Sequence, residues 1–332
     1  MTQIQSGHGS GGKLMNDMIN GLIRKILGEN SIQLDDSAVL DVPADKIAFT
    51  TDSFVITPIF FPGGNIGSLA INGTVNDLAV MGALPKYISC ALILEEGLEL
   101  DDLKKILTSM REAADAAGVQ IVTGDTKVVP HGKGDKVYIN TAGIGLFEKK
   151  VQRALIEAGD KIIINGTAGD HGAAIMASRN NLSFSKGLES DCASLNHMIQ
   201  DVINKFPDSI KFMRDATRGG VASVLNEIVA HSDLGAKLIE EDVPVKNEVT
   251  GLCDILGLDP LYSANEGKVI FVVKSADAPH ILDVIRTNRY GKDAAIIGEL
   301  TNEFPGKAYV ETAIGGKRML PLQLEEQLPR IC

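Results

Sequence analysis

Over residues 38–147 short apolar runs crowd together, and only two helical patterns separate them. Ala38–Val42, Ile47–Thr50, Tyr87–Leu94, Gly118–Val122 and Val137–Leu146 read as strands. One helix is predicted over 102–117, with Asp101 as N-cap, a face of Leu103, Ile106, Leu107 and Met110, and Gly118 as C-cap. The other lies within IGSLAINGTVNDLAVMGA, residues 66–83. After the polar stretch FEKKVQRALIEAGD at 147–160, strands are expected at Lys161–Ile164, 236–240, 268–273, 294–298 and 307–311. Helices are expected at 190–205, 218–231, 244–256 and 277–288. Adjacent strands in mixed order argue for an α+β protein of two α/β domains rather than a doubly wound parallel sheet.

A length of 332 residues agrees with two domains. The boundaries read as a Gly-rich loop and helix over 1–35, one domain over 36–150, a second over 151–314 and a tail over 315–332. In the first segment Leu14, Met18, Leu22 and Ile26 recur every four residues, with Gly28 as a stop. In the last, Gly315-Gly316 precedes KRMLPLQLEEQLPRIC, where Pro321 and Pro329 hinder a continuous helix. This tail is either a frayed terminus or a deliverable arm. A net charge of −11 argues against a general nucleic-acid surface, which needs clustered positive charge. No apolar run of membrane-spanning length and no export signal appears, so a cytoplasmic setting without membrane attachment is expected. The four cysteines, Cys90, Cys192, Cys253 and Cys332, form no CxxC pair, which leaves no zinc knuckle or thioredoxin-type motif.

The chemistry-bearing residues gather in Gly-rich loops and beside apolar runs. The opening GHGSGGKL mimics dinucleotide and P-loop patterns, but both need a preceding strand, and MTQIQS is a poor one. What survives is a donor-rich loop from His8 to Lys13, able to wrap a phosphate or simply a loose N-terminus. Asp35 and Asp36 precede a predicted strand, while Asp52 and Asp125 are expected to emerge at strand ends. At 100° per residue Asp77 falls in the middle of an apolar helix face, which is costly unless it is paired or bound to a cation. Converging carboxylates suit a hard divalent ion and substrate phosphates, the alternative being a set of caps and turn residues. Asp215 stands before a Gly-assisted helix start in Arg214-Asp215-Ala-Thr-Arg218-Gly-Gly, and residues 166–172 form a second donor-rich loop. Glu266 reads as a general base or as a turn carboxylate paired with Lys268. Lys127 reads as a charge-neutralising group or as a solvated strand-end cation. Cys90, Cys192 and Cys253 read as core.

Taken together, HGSGG, DDSAV, TTDS, TVNDLAVMGA, VTGDTKVV, GDHG, RDATRGG, ANEGK and the closing PRIC resemble the HypE family of hydrogenase maturation factors. That family belongs to the superfamily of aminoimidazole ribonucleotide synthetase and selenophosphate synthetase. Where it usually has Gly before the acid pair, this chain has Leu34. The resemblance implies ATP and Mg²⁺ bound in a cleft between two α/β domains, and N-terminal domains that pair in a homodimer. It implies a carbamoyl group received on Cys332 from the carbamoyltransferase HypF. ATP-dependent dehydration to a thiocyanate would follow, with delivery of the cyanide to a HypC–HypD complex. It places Asp36, Asp52, Asp77, Asp125 and Asp215 around the metal. His8, Gly9, Ser10, Gly11, Gly12, Lys13, Thr51, Asn76 and Thr126 fall to the nucleotide, Glu266 to the base and Lys127 to the activated oxygen. Two rivals stand beside this: a non-catalytic nucleotide-dependent scaffold for metallocentre assembly, and another ATP-dependent synthetase of the superfamily. Selenophosphate synthetases carry Cys or selenocysteine in the N-terminal loop, and this loop has neither.

Overall fold

The computed structural model describes residues 3–5, 8, 13–28, 46–147, 155–184, 187–323 and 331. The predicted strand Ala38–Val42, the carboxylates Asp35 and Asp36, Gly9 to Gly12, the side chain of Lys13 and Cys332 lie outside that part.

The first half opens with α1 (Lys13–Met18) and α2 (Arg24–Leu27), joined by a π-helical turn over Ile19–Ile23. Then come β1 (Ile47–Phe54), the short hairpin β2 (Phe60–Phe61) and β3 (Gly64–Asn65), α3 (Ile66–Val80), β4 (Leu84–Glu95), α4 (Leu100–Ala117), β5 (Gln120–Val129) and β6 (Val137–Leu146). Four of the strands form a sheet in the order β1-β6-β4-β5, antiparallel except for the β4–β5 pair. α4 is the amphipathic helix its pattern predicts, with Leu103, Ile106, Leu107, Met110, Ala114 and Ala117 buried and Gly118 left-handed at its end. Its cap differs from the expectation. Glu99 occupies the N-cap without a side-chain bond, and Asp101 and Asp102 sit in the first turn, where they favour the helix dipole.

α3 corrects the expectation of one apolar face. Every residue except Ser68 and Asp77 is buried, because the sheet lies on one side of the helix and the second domain on the other. Asn65 caps it reciprocally with Ser68. Gly143 lets α3 settle on β6, since a Cβ there would come within 2.7 Å of Thr74 Cγ2 and 2.9 Å of Leu78 Cδ1. The opposite face of the sheet is open and carries exposed Ile47, Phe49 and Ile93.

The second half runs β7 (Lys161–Ile164), α5 (Asp170–Arg179), α6 (Asn196–Lys205), β8 (Ile210–Asp215), α7 (Gly220–Val229), β9 (Gly235–Ile239), α8 (Asn247–Leu256), β10 (Val269–Val273), α9 (Ala278–Arg286), β11 (Ala295–Thr301), β12 (Ala308–Glu311) and β13 (Lys317–Met319). They form a seven-stranded mixed sheet in the order β13-β12-β9-β11-β7-β10-β8. β10 is buried throughout: Ile270 and Val272 face α7, and Val269, Phe271 and Val273 face α6 and α9. β8 and β13 were not expected. Residues 190–195, expected as helix, form an extended loop, with Ser190 N–H donating to Pro62 of the first domain and Ala193 N–H to Glu266.

Candidate functional site

Register places the acids. Asp52 lies inside β1 and Asp125 inside β5, so neither emerges at a strand end as expected. Across the sheet Asp52 aligns with Thr141, Cys90 and Gly124, while Asp125 aligns with Ala91, Asn140 and Ser53. The pleat therefore sends Asp52 to the α3 face and Asp125 to the open face. On the α3 side Asp52, Asp77 and Asp215 converge. Asp77 accepts a hydrogen bond from Thr50 Oγ1 at 2.8 Å, and Asp52 from Ser53 N–H at 2.8 Å. Burial pushes all three carboxyls up, and burial together with the negative charges of Asp77 and Asp52 holds Asp215 at about 7. Arg214 and Arg218 oppose this around the same acids.

Among the described residues no three acids, histidines or cysteines close on a common ion position. The donor chemistry still fits a hard divalent cation. Carboxylates that raise one another's pKa are relieved by such an ion, and the adjacent arginines suit phosphate.

Behind this cluster lies a second, better buried one. Glu266 is buried, its Oε1 has no hydrogen-bond partner, and burial together with Asp191 and Asp215 holds its carboxyl well above the usual range. Asp191 shapes its loop, accepting from the backbone N–H of Glu266 at 3.0 Å and of Gly267 at 3.2 Å. Lys268 donates to Asp191 at 2.8 Å and stands 3.7 Å from Asp170, so the expected Glu266–Lys268 pair is replaced. Burial would raise Asp191, but Lys268 and these backbone donors bring it below the ordinary carboxylate value. Cys192 follows on the same loop. Burial pushes its thiol to about 12, and it accepts from Asn72 Nδ2 at 3.4 Å. A polar cavity of about 230 Å³ opens beside these groups, lined in part by Thr167, Asp170, Asp191, Cys192, Lys246 and Lys268.

The second Gly-rich loop is less available than its sequence suggests. Gly169 N–H donates to Asn265 Oδ1 at 2.7 Å and Gly172 N–H to Ala264 at 2.9 Å. These donors thus brace the segment that carries Glu266. His171, in the first turn of α5, is fully buried and bonded to the carbonyl of Ile331 at 2.6 Å.

Other expected site residues lie apart. Lys127, exposed on the open sheet face, pairs with Asp125 at 3.3 Å. Thr51 is on that face too, and Thr126 is buried under the helices. Asn76 clamps the two domains, donating to Ala193 at 2.9 Å and accepting from Leu195 N–H at 2.8 Å. His8 is buried in its own turn, where Nδ1 accepts from Gln5 N–H at 3.0 Å. Asp191 escaped the sequence analysis because nothing periodic marks a loop residue whose partners lie some 75 positions downstream.

Chemically the arrangement offers an electrostatic frame for phosphates beside a buried carboxyl of raised pKa. Models of the AIR synthase related protein family match the chain over residues 34–147 for the N-terminal domain and 157–311 for the C-terminal domain. Carbamoyl dehydratase HypE of Rhodobacter capsulatus is 45% identical over 336 residues, spanning 99% of this chain and 98% of that protein. A solved structure of hydrogenase maturation protein HypE in complex with ATP superposes with a TM-score of 0.91 at 44% identity, covering 98% of this chain and 99% of the other. A HypE chain from a HypE–HypF complex gives 0.79 at 46% identity, covering 83% and 90%.

Proposed function

This chain belongs to the HypE family of carbamoyl dehydratases, and from that premise we propose that it converts an S-carbamoyl group on Cys332 into a thiocyanate at the cost of ATP. The observation that carries this reading is the seat of Ile331, buried against His171, whose neighbouring residues Ser190 to Cys192 brace the Glu266 loop. Cys332 is covalently next to Ile331, so this seat supports Cys332 as the carrier.

The chemistry asks for two things. An amide oxygen is a poor leaving group, so a phosphoryl group passes from ATP to the carbamoyl oxygen and ADP departs. The nitrogen then gives up its protons, the carbon–oxygen bond breaks with loss of phosphate, and the carbon–nitrogen triple bond remains on sulfur. Glu266 is the base for this second stage; its burial makes the carboxylate a stronger proton acceptor than an exposed one. Asp52, Asp77 and Asp215, with Asp36, would hold Mg²⁺, which supplies charge neutralisation at the phosphates, and Asp125, on the other face of the sheet, would join a metal only across a dimer. Arg214 and Arg218 add positive charge on the same side. His8 to Lys13, Thr51 and Thr126 are assigned to the nucleotide by the resemblance alone, and Asn76 contributes by clamping the domains.

The solved complexes of relatives with ATP and with HypF support the same substrate and donor for this chain. The exposed Ile47, Phe49 and Ile93 support a homodimer formed through the open sheet face. Lys127 and Asp125, on that face, then act from within the dimer. Delivery to HypC–HypD and a cytoplasmic setting complete the reading. Free Cys90, Cys192 and Cys253 suit a reducing compartment, and no described helix is long and apolar enough to cross a membrane.

The test is the mass of the peptide bearing Cys332 after carbamoylation, before and after ATP. Loss of one water on adding ATP is expected. ATP bound without any mass change would favour the non-catalytic scaffold.

A further inference from the structure

We propose that His171 is the positioning residue that docks the C-terminal segment, holding it by the backbone carbonyl of Ile331. The inference deepens the preceding section and rests on its reading of Cys332 as the carrier.

The hydrogen bonds assign the ring. A carbonyl oxygen only accepts, so Nε2, 2.6 Å from Ile331 O, carries the proton. Nδ1 must then accept, and its partner is Ser190 Oγ at 2.7 Å. The Ser190 oxygen is itself held, accepting from Cys192 N–H at 3.1 Å. Phe61, from the first domain, stands edge-on to the imidazole with ring centres 5.5 Å apart and planes at 89°. The ring is thus fixed in tautomer and in plane by groups from both domains. Burial lowers the pKa of His171, which keeps the ring neutral and its single donor directed at the segment.

Two features suit a dock that must open. First, three side chains hold the segment by its backbone carbonyls: Asn226 Nδ2 donates to Leu320 O at 2.6 Å and Tyr262 Oη to Pro321 O at 2.9 Å, as His171 does to Ile331 O. Such anchors are indifferent to whether the Cys332 sulfur is free, carbamoylated or dehydrated. Second, the loop that orients His171 also orients the base. Ser190 holds the ring, and Asp191, the next residue, grips Glu266 and Gly267 by their backbone N–H groups. Docked segment and base are therefore registered to one three-residue loop.

The experiment uses the full chain with His171→Leu, His171→Gln and Ser190→Ala. One readout is the alkylation rate of Cys332 by iodoacetamide, followed by the mass of its peptide. The other is single-turnover dehydration after carbamoylation. Loss of one neutral hydrogen bond shifts a docking equilibrium by about two- to tenfold. His171→Leu should speed alkylation and slow dehydration by factors of that size or more, with ATP affinity unchanged. His171→Gln, which restores an N–H donor, should recover part of both. Ser190→Ala, which removes only the tautomer-fixing group and is milder for folding, should lie between. Unchanged alkylation and dehydration in both His171→Leu and Ser190→Ala would overturn the proposal, as would equal defects in the Leu and Gln variants. Alkylation reports docking even if Cys332 never accepts a carbamoyl group, so failure of the carrier reading is seen separately.

Discussion

At the scale of single residues, the site is defined by carboxyls whose burial changes their acidity. Glu266→Gln keeps the shape of the loop and removes the proposed proton acceptor. It should still accept a carbamoyl group, while dehydration falls by about 10²–10⁴-fold in a single-turnover assay. Because burial raises the Glu266 pKa, the base form is depleted as pH drops, so the wild-type rate should fall on the acidic side. Asp215 offers a test by stability. Its carboxyl moves from 3.8 to about 7 on folding, so the native state holds that proton more tightly than the unfolded chain. Stability therefore declines as pH rises between those values and stays reduced above them. Asp215→Asn should raise the urea midpoint at pH 8 by the equivalent of about 2–4 kcal/mol without added Mg²⁺, with the gain vanishing near pH 4, and should abolish ATP turnover. A gain that does not vary with pH would contradict the assigned burial. The sequence exposed these residues unevenly. Asp77 stood out as a charge in an apolar stretch, and Glu266 was visible in its motif. Asp191, which positions Glu266 and takes Lys268 as its partner, was not, because its meaning depends on a contact between distant loops.

At the scale of elements, strong local patterns were legible and context-dependent ones were not. β6 and β7 have the bounds expected from their apolar runs, and α4 carries the expected buried face. β8, with Lys211 and Arg214 among its six residues, has no clean alternation and takes strand form because β10 pairs with it. α3 misled a helical-wheel analysis because burial on every side erases the polar stripe that such an analysis seeks. That burial has a mechanical consequence. β6 must be smooth where α3 crosses it, and Gly143 provides the groove. Gly143→Ala should cost about 1–3 kcal/mol in denaturant melts, since Thr74 and Leu78 have little room to withdraw. It should also lower ATP turnover, because α3 carries Asp77. A neutral Gly143→Ala would mean that α3 is seated more loosely than its contacts imply.

At the scale of the whole molecule, the sheet itself separates two groups of residues that the sequence placed in one site. Asp52, Asp77, Asp215 and Glu266 lie on the α3 side, and Asp125 and Lys127 lie on the open face. A one-residue difference in register decides this, and no motif records it. If the open face is where two copies meet, Lys127 reaches a site that its own Glu266 does not share. That face carries Phe49 at 67% exposure, Ile47 at 48% and Ile93 at 41%, large apolar groups that a second copy would cover. Phe49→Glu should yield a monomer by light scattering and lose dehydratase activity while circular dichroism stays unchanged. Complementation then tests whether the dimer shares its sites. Lys127→Ala and Glu266→Gln proteins, each inactive alone, should recover up to about a quarter of wild-type activity when mixed and allowed to exchange subunits. Half the dimers are then mixed, and each has one site with both residues intact. If Lys127 instead served its own protomer's Glu266, no mixed dimer would hold an intact site, and mixing would restore nothing.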